Sequence, residues 1–596
     1  MIENIIDIGK MVKGISKGSS SLNYAKINIE SKGKSDVSNE NLLVTINFNS
    51  KNTVMPEFKE INIDESNSEK LAEKYSWIGN SKANSPKIRI TSDKLSNVVV
   101  ALPNLIKELP QKSQLSTLLV SVVTNYIDEN TNAKNKKVYT IKSQFNVPNG
   151  YSGNKNVKLF TVLIDGVPIA KDEDYLDLIR NNSKPKQDEY YNGTCSVCTK
   201  PGKVTSNTTK FRLKSYITDK LSFASELKYF EKNFSLCEEC YSFALSGENY
   251  IINNLTTFLG ESLLVIPHSF KSKVDITDLK EVFIITETGI NGTLNSLGNI
   301  NNRLSRISYL NAYVLNLIFY RSVNASFKIM ESINDIPSTR INAIITNLAK
   351  GNDKFSRVSE SSVNLLKLNF LLSGYSKSIG VSYISKIFRF EKINEANIIR
   401  EFIRSLRVLT HSNEERNRLE SIRKNILSMI IFLYFFKLMR LVPITNTKGV
   451  DNMEDRLSNS MDREEESYLR DMQINEEKEA LCRIGFLLSS VGYAQYKSGL
   501  SNNPIFNKVN FNGMDINTVS KLVIEVEEKM RQYKLFVYKN NVMDLFKLNL
   551  VLAKSINVWS LSNEENVFYI MAGYSISRAL SFKKNNGEDM KGELDE

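Results

Sequence analysis

Four of the five cysteines in this chain form two closely spaced pairs. Cys195 and Cys198 stand in Gly193-Thr-Cys-Ser-Val-Cys, and Cys237 and Cys240 in Ser235-Leu-Cys-Glu-Glu-Cys. Two residues between cysteines let both thiolates of a pair reach one ion, and two pairs close a tetrahedral site. Zinc is the ion expected there. With sulfur in all four positions no place remains for water or substrate, so the ion should hold structure and perform no chemistry. Disulfides are not expected in a chain with no signal peptide and no other paired cysteines, whose reading is cytoplasmic. A redox CxxC is disfavoured by the second pair and by the lack of a surrounding βαβ pattern.

Residues 199–236 separate the pairs, about twice the span of a compact zinc ribbon, so an inserted finger is expected. Its side chains are basic and aromatic. Lys203, Lys210, Arg212 and Lys214 lie among Phe211, Tyr216, Phe223, Tyr229 and Phe230, a mixture suited to phosphate contacts and base stacking. The isolated fifth cysteine, Cys482, neighbours Leu481, Ile484 and Phe486 and reads as a small buried apolar residue.

The elements that position these cysteines read as an α+β chain, predominantly α. A mixed α/β N-terminal domain is expected over 1–190, with strands Leu42 to Phe48 and Val157 to Ile164. An Asp165-Gly166 hairpin turn and a short helix Asp172 to Arg180 follow. The four-cysteine zinc element occupies 191–245 and a helical middle domain 246–445. After Cys240 the pattern reads as helix almost continuously, including Leu310 to Ile329, Val363 to Leu372 and Ile398 to Leu409. An acidic linker or added helix takes 446–480. A self-contained C-terminal four-helix bundle with an acidic tail takes 481–596, its last helix opened by a Ser562/Glu565 capping box.

Charge sharpens this division. The net charge is +12, and 41% of residues are hydrophobic, enough for sizeable cores. Asp451 to Ala480 carries eleven acidic and four basic residues, which leaves the rest of the chain still more basic. A polyanionic partner is therefore expected. No membrane span is expected, because the longest apolar run, Ile426 to Phe436, is about half the length needed and reads as a buried helix.

Catalytic constellations are not visible. Only two histidines are present, His268 and His411, and His268, behind Pro267, reads as structural. Gly33-Lys34-Ser35 imitates the end of a phosphate loop without its first glycine or leading strand. No dinucleotide fingerprint or two-metal nuclease motif appears. A basic stripe does appear: Arg400, Arg404 and Arg407 recur at helical spacing, with His411 continuing the face and Ile399, Phe402, Ile403 and Leu406 beside it. It reads either as a phosphate-tracking helix or as a solvated face paired with Glu401 or Glu414.

Taken in order, Ile164-Asp-Gly-Val-Pro, the short acidic helix, the first cysteine pair, the insertion, Leu236-Cys-Glu-Glu-Cys-Tyr, Leu264-Val-Ile-Pro and Gly485-Phe-Leu-Leu-Ser-Ser-Val-Gly-Tyr resemble one family. The chain is similar to the large subunit of a type I-B CRISPR Cascade from about residue 155 onward. That resemblance implies a non-enzymatic subunit of an RNA-guided DNA surveillance complex, helping to recognise the target-adjacent motif and to hold opened DNA, the R-loop. It implies guide RNA and target double-stranded DNA as partners, together with backbone, handle-binding and small subunits and a helicase-nuclease. It also implies that the C-terminal helical region can be made separately as a small subunit. Lys448-Gly449-Val450 can encode a ribosome-binding sequence ahead of Met453, so Met453 is the expected internal start. The competing readings are a zinc-containing, nuclease-like enzyme acting on nucleic acid and an RNA-binding assembly factor.

Overall fold

The computed structural model describes residues 2–15, 42–64, 67–76, 88–131, 137–148, 151, 158–182, 185–213, 234–269, 276–291, 313–323, 326–410, 415–443, 463–500, 505–555 and 558–592. Its fold is mostly helical, with an α/β N-terminal region and a C-terminal helical bundle.

The chain opens on helix α1 (Ile2–Ile15) and then builds a sheet from β1 (Leu42–Phe48), β2 (Glu57–Asn62), β3 (Thr91–Ser92), β6 (Lys158–Ile164) and β7 (Val167–Pro168), with β1 and β6 parallel at its centre. The crossover between these two strands carries α2 (Ser68–Lys74), α3 (Leu95–Glu108), α4 (Gln114–Tyr126) and the hairpin β4 (Ile127–Thr131) and β5 (Lys137–Ile141). Alternation along β1 sends Val44, Ile46 and Phe48 to one packed face, against Val98, Leu102, Leu119 and Val122. Leu43 goes to the other face, against Ile63, Ala72 and Tyr75.

The expected hairpin turn is present. Asp165 at φ 50° and Gly166 at φ 80° make the positive-φ pair of a type I′ turn. The Asp165 carboxylate accepts from the Ser50 backbone N–H at 2.9 Å and from its hydroxyl at 2.5 Å, and these bonds hold its pKa below the usual range. Helix α5 (Glu173–Asn182) follows, capped by Asp172, which accepts from the Asp174 N–H at 3.0 Å.

A three-stranded sheet of β8 (Tyr191–Thr194), β9 (Pro201–Thr205) and β10 (Leu236–Cys237) precedes helix α6 (Glu238–Asn254). The next segment departs from the expectation of nearly continuous helix. Strands β11 (Thr256–Phe258), β12 (Ser262–Ser269), β13 (Tyr313–Val323) and β14 (Ser326–Pro337) form an antiparallel sheet, beside which lies α7 (Ile276–Asn291). The described residues of Leu310 to Ile329, 313–323 and 326–329, thus belong to two strands where a helix was expected. The reason is burial on both faces of β13. Leu315, Leu317 and Phe319 on one face and Asn316, Ile318 and Tyr320 on the other are all buried, so the strand shows no apolar–polar alternation and satisfies three- and four-residue spacing by chance.

Helices resume with α8 (Ser338–Lys354), α9 (Leu365–Leu372), α10 (Lys377–Arg389), α11 (Glu395–Thr410) and α12 (Glu415–Leu438). They continue with α13 (Glu464–Met472), α14 (Glu476–Lys497), α15 (Ile516–Gln532), α16 (Lys539–Ser555) and α17 (Asn563–Gly592). The Ser562/Glu565 capping box forms reciprocally: the Ser562 N–H donates to the Glu565 carboxylate at 3.0 Å, and the Glu565 N–H donates to Ser562 Oγ at 3.3 Å. Cys482 is buried, as expected, and its carbonyl lies against Gly573, where α14 and α17 touch backbone to backbone.

The last four helices share their core with the middle ones. Phe402 of α11 meets Phe568 of α17 edge to face at 5.9 Å, and one apolar cluster runs from β12 through α12 to α17. Buried charges reinforce the junction. Arg483 of α14 reaches Asp544 of α16 at 2.7 Å and Glu466 of α13 at 2.8 Å, and Lys437 of α12 donates to the carbonyls of Met472 at 2.5 Å and Gln473 at 2.9 Å. Burial pushes the Lys437 ammonium down to about 8, against the opposing pull of Glu395.

Candidate metal centre

The two CxxC pairs sit on unlike supports. Cys195 and Cys198 occupy the turn between β8 and β9, where the Cys195 N–H donates to the Lys200 carbonyl at 3.0 Å and Thr199 takes a positive φ of 57° to bring the chain back. Cys237 ends β10 and caps α6, and Cys240 lies in the helix's first turn, its N–H directed at Cys237 Sγ at 3.5 Å. The supports are stitched together: the Ser196 N–H donates to the Ser235 carbonyl at 2.8 Å, and the Ser235 N–H donates to Ser196 Oγ at 2.9 Å.

This scaffold gathers all four sulfurs within 4.8 Å of one another. Cys198 Sγ and Cys237 Sγ are 3.7 Å apart, and all four residues are free thiols. A tetrahedral ion with metal–sulfur bonds of about 2.3 Å sets its sulfurs roughly 3.8 Å apart, so the spacing fits a metal ion. Thiols brought this close respond to burial and to each other. Burial raises the Cys195 thiol, but backbone donors at Cys198, Cys237 and Val197 outweigh it and bring it down to about 7. Burial raises Cys237 and Cys240. Only a cation at the centre lets four thiolates coexist.

The cluster is tied to the chain's first helix. Ile2 and Ile6 of α1 share an apolar core with Cys195, Val204, Phe211, Phe234, Leu236 and Tyr241. Asn4 Oδ1 meets His268 Nδ1 in a close side-chain contact, in keeping with a structural histidine. Glu248, buried on α6, accepts from the backbone N–H groups of Arg212 and, at 2.7 Å, Leu213. Neither α1 nor Glu248 is marked by its own residue type; the signals in the sequence are Gly9 and Gly247, since a glycine inside a helix marks a close approach.

The basic candidates scatter. Lys203 is exposed on β9, Lys210 Nζ donates to the Asn182 carbonyl at 3.0 Å, and Arg212 is half-buried and held through its backbone. Lys214, most of the insertion and His411 lie outside the described residues. On α11, Arg400 approaches Glu564 at 4.0 Å and Arg404 pairs with Glu401 at 3.3 Å, while Arg407 is exposed. The solvated-face reading therefore accounts for the pairing of Arg404.

Comparison with known families bears on all of these elements at once. The chain is a CRISPR-associated protein. It belongs to the family of CRISPR-associated protein TM1802, whose N-terminal domain matches residues 1–181, central domain residues 192–336 and C-terminal domain residues 376–588. This agrees with the resemblance read from the cysteine pairs and their flanking motifs. No match is found among curated proteins. Among the described residues no helix is long and apolar enough to cross a membrane.

Proposed function

We propose that this chain is the non-catalytic large subunit of a type I-B Cascade, acting in the cytoplasm with guide RNA, target double-stranded DNA, backbone, handle-binding and small subunits and a helicase-nuclease. It helps recognise the target-adjacent motif and stabilises the R-loop. The observation that carries this reading is the family match running in order through N-terminal, central and C-terminal domains. Zinc held by Cys195, Cys198, Cys237 and Cys240 plays a structural part, because a four-thiolate shell leaves no open position. Lys203, Lys210, Arg212, Lys214, Arg400, Arg404 and Arg407 contribute to nucleic-acid contacts, with Lys203 and Arg407 the freest to do so on exposure.

A subunit must also offer apolar surface to neighbours. Val542, Met543, Phe546 and Leu550 form an exposed stripe along α16 at three- and four-residue spacing, continued by Val537 and Tyr538. This supports a protein partner on the C-terminal helices. The separate product beginning at Met453, which lies outside the described residues, belongs to the same proposal. The test is co-expression with the neighbouring subunits and guide RNA, followed by binding to a matched duplex target. Complexes lacking this chain should lose duplex opening. Metal-dependent cleavage by the isolated chain would instead establish the nuclease-like reading.

A further inference from the structure

The connection between α9 and α10 carries an exposed tyrosine and is hydrogen-bonded to α11 within its arginine stripe. The Gly374 N–H donates to Ser405 Oγ at 2.8 Å, and Ser405 is buried. Tyr375 follows Gly374 directly, and Arg404 precedes Ser405 directly, so one hydrogen bond fixes the two side chains' backbones next to each other. Tyr375 is 74% exposed, far more than a tyrosine needs for its hydroxyl to reach water. Arg404 is half exposed, and Arg407 stands one helical turn further on the same face. Phe370, near the end of α9, adds a second half-exposed ring, with Lys367 Nζ 5.0 Å from its centroid.

We propose that Tyr375 is a base-stacking platform for an unpaired nucleic-acid strand whose phosphates lie along Arg404 and Arg407. This rests on the nucleic-acid-binding reading above and adds to it the substrate class and the residue that selects it. An exposed ring can contact the face of an unstacked base, which a duplex hides, whereas guanidinium groups attract the phosphates of either form. The ring therefore discriminates strand from duplex, and the arginines supply affinity without discrimination. Glu401, paired with Arg404, offsets part of the stripe's charge and leaves Arg407 as its stronger phosphate contact.

The experiment measures binding of the full chain to fluorescent oligodeoxythymidine, to oligouridine, and to a DNA duplex of the same length, at fixed salt. Tyr375→Ala should weaken single-strand binding about tenfold, the scale of one base–aromatic stack, and leave duplex binding unchanged. Tyr375→Trp should restore it. The DNA and RNA arms tell a displaced DNA strand from guide RNA, and a Tyr375-dependent loss in either supports the proposal. If Arg404→Ala with Arg407→Ala weakens binding to every probe while Tyr375→Ala weakens none, the stacking role is overturned and the nucleic-acid reading stands. If neither variant changes binding to any probe, the arginine stripe falls from the nucleic-acid reading as well. Thermal unfolding separates these outcomes from misfolding, since none of the three side chains is buried.

Discussion

Gly9 of α1 and Gly247 of α6 face each other where the two helices cross, and neither has room for a side chain. A Cβ on Gly9 would lie 1.9 Å from the Phe243 carbonyl oxygen, and one on Gly247 would lie 1.8 Å from that of Ile5. Both obstacles are backbone and cannot rotate away. Gly9→Ala and Gly247→Ala should each destabilise the chain by about 1–3 kcal/mol, as overpacking of a close-packed contact does. Denaturant unfolding checks this, and unchanged midpoints for both would show that α1 docks otherwise.

Metal analysis tests the thiolate cluster. The purified chain should carry one zinc ion, and Cys237→Ser or Cys240→Ser should lose it together with much of the thermal stability. Structural zinc sites contribute on the order of 10 kcal/mol. Cys482→Ser should leave the metal content unchanged, because Cys482 is buried in α14, far along the chain from the cluster.

Arg483 and Asp544 form an ion pair that is almost wholly buried, at side-chain exposures of 1% and 2%. Each has a further partner, Arg463 for Asp544 at 2.7 Å and Glu466 for Arg483 at 2.8 Å, so Asp544→Asn thins a network without stranding Arg483 and should cost about 1–3 kcal/mol. A hydrophobic replacement of Arg483 should cost more, about 3–5 kcal/mol, because it removes the buried cation that Glu466, Glu479 and Asp544 share and leaves Asp544 to Arg463. Chemical denaturation of the variants supplies the measurement.

The same network predicts an acid limb. Burial raises the Glu466 carboxyl, and the hydrogen bonds and charge of Arg483 overcome it, bringing it from 4.5 down to about 2. A carboxylate with a depressed folded pKa binds its proton more readily in the unfolded chain. Its stabilisation is therefore complete above about pH 4.5 and is lost as pH falls toward 2. Glu466→Gln should flatten the pH dependence of stability in that window. An unaltered acid limb would assign it to other carboxylates.

The shared core bears on the product starting at Met453. Separated from the rest of the chain, α17 would lose Phe402 against Phe568 and the Glu395 carboxylate at the Tyr569 hydroxyl. Mass spectrometry of protein expressed from the native gene should find the shorter product. Purified alone, it should bind a hydrophobic dye or self-associate. A monomer that binds no dye would mean that the four helices reclose by themselves.

What was legible in the sequence was local. Two-residue cysteine spacing, the Asp165-Gly166 turn and the Ser562/Glu565 box each carry their geometry within a few residues, and all three appear in the fold. Strands β12 and β13 were not legible, because strands buried on both faces lose the alternation that tells strand from helix. Contacts distant in sequence were hidden for a different reason. Glu401 could be weighed as a partner of Arg404 because it lies one turn away, whereas Glu564 near Arg400, or Glu248 beneath Arg212, is known only once the chain has folded.

The insertion between the cysteine pairs leaves and returns at neighbouring anchors. On the outgoing side Phe211 is buried against Tyr241 at 4.7 Å and Leu213 is held by Glu248; on the returning side Phe234 is buried in the core that contains Cys195. Phe211, Leu213 and Phe234 thus work as the two feet of one clamp, and the core that carries the cysteines closes on both ends of the insertion at once.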